Sequence, residues 1–137
     1  SIDFAKLDKN IKRYANVGLN CIITELDISI PKSSYGSITA YNNQATDYKK
    51  LVKIALNNNN CPTVLVWGIS DPISWIPSAS NYIKGEPLLF DAYFSAKPAF
   101  FSVRDIYQET ASTLSVEENI TVPQSNPPYV DVYNLLG

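Results

Sequence analysis

Apolar residues recur along this chain in two patterns: at three- and four-residue steps, and as short continuous runs. The first pattern begins after Asp3, with lysines between the apolar positions Phe4, Leu7, Ile11, Tyr14 and Ala15. It predicts an amphipathic helix, and Gly18 offers a residue that can end it. The second pattern occurs over 22–28 and 63–67, and it predicts two strands of a parallel sheet that are buried on both faces.

Between these strands, the pattern predicts a long loop followed by a second helix. The segment from about 29 to 44 is rich in Ser, Asn and Tyr, and it is longer than most strand-to-helix connections, which indicates a functional loop. Thr46 or Asp47 could cap the helix. Its apolar face is formed by Tyr48, Leu51, Val52, Ala55 and Leu56, and the asparagine run 57–60 is a polar stop.

After the second strand, an irregular stretch leads to 87–91, and Lys97-Pro98 opens a last helix that extends through Tyr107. The order helix, strand, helix, strand, helix predicts a parallel α/β fold. Beyond Tyr107 the helical periodicity is lost. We therefore divide the chain into 1–107 and an extension, 108–137, which reads as a linker, an appended strand or two, or a surface arm. Asn119 begins a possible N-glycosylation tripeptide.

Composition narrows the possible functions. The 137 residues suit one domain, and 45% of them are hydrophobic, as in ordinary globular proteins. With 11 basic and 13 acidic residues the net charge is −2, so neither nucleic acid nor a membrane surface is an expected partner. The chain has no His and only two Cys. It therefore cannot build a Ser-His-Asp triad, a His metal site or a zinc cluster by itself.

The two cysteines, Cys21 and Cys61, each stand just before a predicted strand. Neighbouring parallel strands lie about 4.8 Å apart, which brings two such residues within bridging distance. Two interpretations remain open. The cysteines form a disulfide, which would indicate an oxidising compartment, or they are buried free thiols that act as small hydrophobic residues.

Candidate chemistry lies at the carboxyl ends of both strands. Glu25 and Asp27 end the first strand, where an α/β barrel keeps its catalytic groups, although two carboxylates could also simply mark the exit of a strand into solvent. Trp67 ends the second strand and Trp75 follows it. A single strand-end tryptophan is more often a core residue, but two beside a carboxylate predict a cleft in which sugar rings lie on aromatic faces.

These motifs carry a family resemblance. In order along the chain, they resemble the closing third of family 10 glycoside hydrolases, the endo-1,4-β-xylanases. The matching segments are 10–15 (NIKRYA), 22–28 (IITELDI), 66–71 (VWGISD), 74–77 (SWIP), 87–91 (PLLFD) and 97–100 (KPAF). The resemblance covers about 4–107. It implies the C-terminal portion of a (β/α)8 TIM barrel, namely helix 6, strand 7, helix 7, strand 8 and helix 8, plus the C-terminal extension.

The resemblance also implies roles for individual residues. Glu25 matches the catalytic nucleophile, Asp27 matches an acid that supports the nucleophile region by hydrogen bonding, and Trp67 and Trp75 match aromatic residues of the sugar subsites. Pro72-Ile73 departs from the family, which often has a polar and then an aromatic residue there. The acid/base glutamate and the histidines of the family's site lie on earlier strands that this sequence lacks. A barrel takes about 250 residues, so we expect a truncated product or one piece of a larger assembly.

The resulting hypothesis is a secreted, extracellular endo-1,4-β-xylanase fragment that hydrolyses xylan with retention of configuration. Its expected partners are xylan or xylo-oligosaccharides and a second chain or segment that carries the remaining strands. No cofactor or metal is required, because the chemistry needs two carboxyl groups and water. The alternatives are another retaining barrel glycosidase that acts on cellulose or mannan, and a catalytically silent carbohydrate-binding or interaction module.

Overall fold

A computed structural model of the chain describes residues 2–114 and the backbone of residues 129–131. The elements are, in chain order, α1 (Phe4–Ala15), β1 (Asn20–Leu26), β2 (Ile30–Pro31), α2 (Ile38–Leu56), β3 (Thr63–Val66), α3 (Ile76–Ala79), β4 (Lys84–Gly85), α4 (Pro98–Leu114) and β5 (Tyr129–Asp131). The predicted order of helix, strand, helix, strand and helix is confirmed by α1, β1, α2, β3 and α4. None of the described helices has the length and apolar character needed to cross a membrane.

Local sequence explains why α1 forms where it does. The Asp3 carboxylate accepts a hydrogen bond of 2.9 Å from the backbone N–H of Lys6, which satisfies one of the free donors at the helix start. Leu7 and Ile11 lie on the buried face, one helical turn apart. Gly18 has a φ of +76°, a conformation that glycine adopts without strain, and it turns the chain into β1.

The main sheet has the strand order β3-β1-β5, and both β3 and β5 run parallel to β1. Helices α2 and α4 pack against each other. A second, antiparallel pair joins β2 to β4. The core lies between the main sheet and the helices, and its buried members include Leu7, Ile11, Cys21, Leu26, Tyr48, Leu51, Ala55, Cys61 and Ala99.

The extension contributes one short strand. The backbone of β5 pairs with the start of β1, with Tyr129 opposite Asn20 and Asp131 opposite Ile22. Before that strand, α4 continues to Leu114, seven residues past the predicted end of the helix at Tyr107. The division of the chain at residue 107 stays a prediction, and the possible glycosylation site at Asn119 lies outside the described residues.

The predicted loop over about 29–44 is wrong in its second half. Helix α2 begins at Ile38, and its cap is neither Thr46 nor Asp47 but Ser37, whose hydroxyl accepts a hydrogen bond of 3.3 Å from the N–H of Ala40. The first turns of α2 carry polar residues that contact other loops, and the apolar pattern therefore did not reveal them.

The prediction that both strands are buried on both faces is also wrong. Helices cover one face of the sheet, whereas Leu65 of β3 is 49% exposed on the other. The reason is architectural, because the three strands described here do not close into a barrel and nothing in the described part of the chain covers that second face.

Candidate active site

A β-bulge in β1 determines how Glu25 is presented. Ile23 pairs with Val64 and Leu26 pairs with Val66, so two residues of β1, Thr24 and Glu25, lie opposite the single residue Leu65 of β3. An extra residue of this kind shifts the alternation of side chains by one position. The shift therefore decides which side chains downstream of Ile23 face the helices.

Burial of the strand follows this shift. In a regular strand Ile23 and Glu25 would face the same side, and Ile23 packs against the helix-covered core. In the structure Leu26 takes the next core position, with 1% exposure, and Glu25 is exposed. A carboxylate that would otherwise enter the apolar core thus emerges at the carboxyl end of β1.

Asp27, the second predicted acid, is bonded to Trp75. The indole Nε1 of Trp75 donates a hydrogen bond of 2.7 Å to Asp27 Oδ2, which connects the end of β1 to the loop after β3. Burial raises the pKa of the Asp27 carboxyl, the bond from Trp75 lowers it, and the nearby charge of Glu25 raises it. The other oxygen, Oδ1, is buried and has no hydrogen-bond partner among the described residues.

Both tryptophans lie at the same end of the sheet as the two acids, namely the carboxyl ends of β1 and β3. Trp67 directly follows β3, and each indole is about half exposed. The N–H of Trp75 is occupied by Asp27, so it is not available for a sugar hydroxyl, whereas about half of the residue's surface remains exposed. The structure thus brings Asp27 and Trp75 into direct contact, with Glu25 two residues before Asp27 and Trp67 at the end of the adjacent strand.

A buried ion pair fixes the loop between the two tryptophans. Asp71 and Lys97 form a salt bridge of 2.9 Å, and their side chains are 8% and 6% exposed. Asp71 Oδ1 also accepts a bond of 2.9 Å from the N–H of Leu88, and Lys97 donates to the carbonyl of Glu86 at 2.7 Å. Burial raises the pKa of Asp71, while the bond from Lys97 lowers it. The pair therefore holds the loop after β3 onto the start of α4.

Helix α2 supplies a second anchor, which the sequence interpretation missed. Gln44 Nε2 donates to the carbonyls of Ile28 and Glu86 at 2.5 and 2.6 Å, so it joins the loop after β1 to the loop before α4. Tyr41 donates to the Glu86 carboxylate at 2.5 Å. The signal available in the sequence was the spacing of Tyr41, Gln44 and Tyr48, which places all three on one face of a helix.

The described residues contain no group of three or more His, Cys, Asp and Glu side chains placed to hold a metal ion. This arrangement places an exposed carboxylate, Glu25, next to a partly buried acid, Asp27, and two half-exposed aromatic rings.

Comparisons with known proteins place this geometry in context. The family model for glycosyl hydrolase family 10 matches residues 1–106. Endo-1,4-beta-xylanase B of Thermotoga neapolitana is 33% identical over 111 residues, which cover 79% of this chain and 31% of that protein. A thermostable celloxylanase of Thermoclostridium stercorarium is 40% identical over 108 residues, with 73% and 28% covered.

Solved structures agree with the sequence matches. Native xylanase 10B from Thermotoga maritima superposes with a TM-score of 0.77 at 27% identity, covering 82% of this chain and 34% of that one. Xylanase 10B from Thermotoga petrophila RKU-1, solved in complex with xylobiose, gives a TM-score of 0.75 at 28% identity, with 80% and 33% covered. These neighbours confirm the predicted fold class, a portion of a (β/α)8 barrel. The chain spans about a third of the length of the relatives it matches.

Proposed function

We infer the function of this chain from its family, because the chain belongs to glycosyl hydrolase family 10. We propose that it supplies the nucleophile side of an endo-1,4-β-xylanase active site. The reaction is hydrolysis of xylan with retention of configuration. The observation that carries the proposal is the bulge in β1, which exposes Glu25 at the carboxyl end of the strand although the regular alternation would bury it. Such bulges are found next to active sites, where they re-aim a side chain.

In this mechanism the Glu25 carboxylate attacks the anomeric carbon of a xylose unit. A second carboxyl group about 5 to 5.5 Å away protonates the leaving oxygen, and a water molecule then hydrolyses the covalent glycosyl-enzyme intermediate. That acid/base residue would come from a segment of the barrel outside this chain, either on a second chain or on another part of a longer protein. Two carboxyl groups and water complete the chemistry.

Asp27 and the tryptophans would shape the site around Glu25. Asp27 holds Trp75 through the bond of 2.7 Å, and its buried, unpartnered Oδ1 can accept a donor from the missing part of the barrel. The exposed rings of Trp67 and Trp75 are suited to contact the apolar faces of xylose units. A relative of this chain was solved with xylobiose, which supports xylo-oligosaccharides as the ligand class. We also propose that the protein acts outside the cell, where its polymeric substrate is found.

A covalent labelling experiment tests the role of Glu25. The purified chain is mixed with the N-terminal two thirds of xylanase B from Thermotoga neapolitana, which would supply the missing strands. An activated 2-deoxy-2-fluoro-xylobioside is added, and peptide mapping by mass spectrometry locates the label. We expect the label on Glu25, no label and a loss of several orders of magnitude in turnover for Glu25→Gln, and unchanged behaviour for the control Glu109→Gln, an exposed carboxylate on α4.

Other outcomes distinguish the alternatives. Labelling of a different residue, or full turnover by Glu25→Gln, would contradict the proposed nucleophile. Binding of xylo-oligosaccharides with neither label nor turnover would instead indicate a catalytically silent carbohydrate-binding module. Faster hydrolysis of cello- or manno-oligosaccharides than of xylo-oligosaccharides would indicate another retaining glycosidase of the same fold.

A further inference from the structure

We propose that Cys21 and Cys61 are a modification site, at which a disulfide joins β1 to the segment that leads into β3 at the end of the sheet opposite Glu25. In the structure both cysteines are unbridged thiols. Nothing in the proposed glycosidase reaction uses them, because they lie at the amino ends of the strands and the acids lie at the carboxyl ends.

The two sulfur atoms are already neighbours. Both side chains are buried in the same core cluster, and each thiol influences the pKa of the other. The backbone supports the same approach, since Ile22 pairs with Thr63 across the sheet and the N–H of Cys21 donates to the carbonyl of Asn60 at 2.7 Å. A bridge requires cysteines that face each other at short range, and the register of β1 with the segment before β3 places this pair side by side.

The segment before β3 is held firmly enough to keep the pair in register. The side-chain amide of Asn60 donates to the carbonyl of Ile11 at 3.0 Å and to that of Leu19 at 3.2 Å. These bonds tie the residue next to Cys61 to α1 and to the turn before β1. The fold therefore fixes the position of Cys61 relative to Cys21.

Burial also decides what each thiol can react with. It raises the pKa of Cys21, and it raises the pKa of Cys61 to about 12, so both remain protonated at neutral pH in the folded chain. The thiolate is the reactive form, so oxidants in solution react slowly with the closed site. We accordingly place bond formation during folding or transient opening, in the presence of a low-molecular-weight disulfide such as oxidised glutathione.

The exchange balances in two steps. One cysteine loses its proton and attacks a sulfur atom of oxidised glutathione, which releases one glutathione thiolate and leaves a mixed disulfide. The second cysteine, also deprotonated, attacks the protein sulfur of that mixed disulfide and releases the second glutathione. Two protein S–H bonds are lost and one S–S bond forms. The protein gives up two electrons, glutathione disulfide accepts them, and the two protons end on the two glutathione thiols.

The bridge would close a loop of about 40 residues that contains Glu25, Asp27 and the whole of α2. Cross-linking a loop of this length reduces the conformational freedom of the unfolded chain. We expect the oxidised chain to unfold at a temperature higher by on the order of 10 °C than the reduced chain.

The test uses the full chain and does not depend on glycosidase activity. The chain is equilibrated with mixtures of reduced and oxidised glutathione under folding conditions and, in parallel, in concentrated guanidinium chloride. Free thiols are then blocked with N-ethylmaleimide under denaturing conditions, and intact mass gives the bridged fraction. We expect an equilibrium constant for the intramolecular bridge at least tenfold larger under folding conditions, with peptide mapping that links Cys21 to Cys61.

Equal equilibrium constants in the two conditions would overturn the proposal, as would two blocked thiols or glutathione adducts on single cysteines throughout the series. The variants Cys21→Ser and Cys61→Ser serve as controls for the melting experiment. Each should show the same melting temperature with and without oxidised glutathione. A shift in either variant would mean that the gain in the parent chain does not come from the bridge.

Discussion

Replacement of Lys97 by Met would leave the Asp71 carboxylate buried and unpaired. The two side chains are 8% and 6% exposed and lie 2.9 Å apart, so solvent screens them little. Removing one partner of such a pair typically costs about 3 to 5 kcal/mol, because the remaining charge keeps its desolvation penalty and loses its compensation. We expect Lys97→Met to lower the free energy of unfolding at pH 7 by about this amount.

The loss should depend on pH in a defined direction. Burial raises the pKa of Asp71 and Lys97 lowers it, so the variant has a pKa raised further above the unfolded value of about 4. A carboxyl whose pKa is raised on folding favours the folded state when protonated. Its contribution is present below about pH 4 and is lost as the pH rises through the folded-state pKa. The difference between the variant and the parent should therefore be small near pH 4 and large at pH 7.

Urea-induced unfolding, followed by tryptophan fluorescence at both pH values, measures this difference. Lys49→Met is a matched control, because Lys49 pairs with Glu109 at 2.8 Å but the two side chains are 38% and 56% exposed. Removal of that exposed pair should cost about 1 kcal/mol or less. If Lys97→Met costs no more than Lys49→Met, or if its cost does not shrink on acidification, then the buried pair does not anchor the loop as described.

Three further substitutions, at Glu25, Trp75 and Gly85, test other contacts in the structure. In the assembled barrel Glu25→Gln should abolish turnover while urea unfolding of the isolated chain changes by less than about 0.5 kcal/mol, since the side chain is exposed. Trp75→Ala should weaken xylo-oligosaccharide binding, measured calorimetrically, by about 1 to 3 kcal/mol, and Trp75→Phe, which keeps a ring but loses the bond to Asp27, should weaken it less. Gly85→Ala should destabilise the chain by about 1 to 3 kcal/mol in urea, because its new methyl group would meet the Tyr35 hydroxyl, and Tyr35→Phe in the same chain should recover most of the loss.

The sequence predicted the helices that bury an apolar stripe and missed the start of one that does not. Leu7 and Ile11 repeat at the helical period, and the structure places both in the core. The first turns of α2 instead direct Tyr41 and Gln44 toward the polar groups of neighbouring loops. A pattern of apolar positions records only burial against the core, so these turns read as loop.

The sequence indicated which side chains gather at the carboxyl ends of the two strands, but not their geometry. A carboxylate at the end of a buried strand indicated Glu25, and the aromatic residues after the next strand indicated Trp67 and Trp75. Sequence gives no indication that two residues of β1 oppose one residue of β3, since the pairing depends on both strands together. The bond from Trp75 to Asp27 likewise joins residues 48 positions apart, which no local pattern can connect.

The bulge in β1 makes the number of residues in this strand matter as well as their identity. Replacing Thr24 changes one side chain, whereas deleting it would remove the bulge: Leu26 would stay opposite Val66 on the helix-covered face, and Glu25 would take a regular position opposite Leu65 on the uncovered face. Any attempt to recombine this chain with related barrels should therefore align the crossover points outside Ile23 to Leu26. A substitution in that interval keeps the number of residues that face β3, whereas a change of one residue in its length alters how Glu25 is presented at the end of the strand.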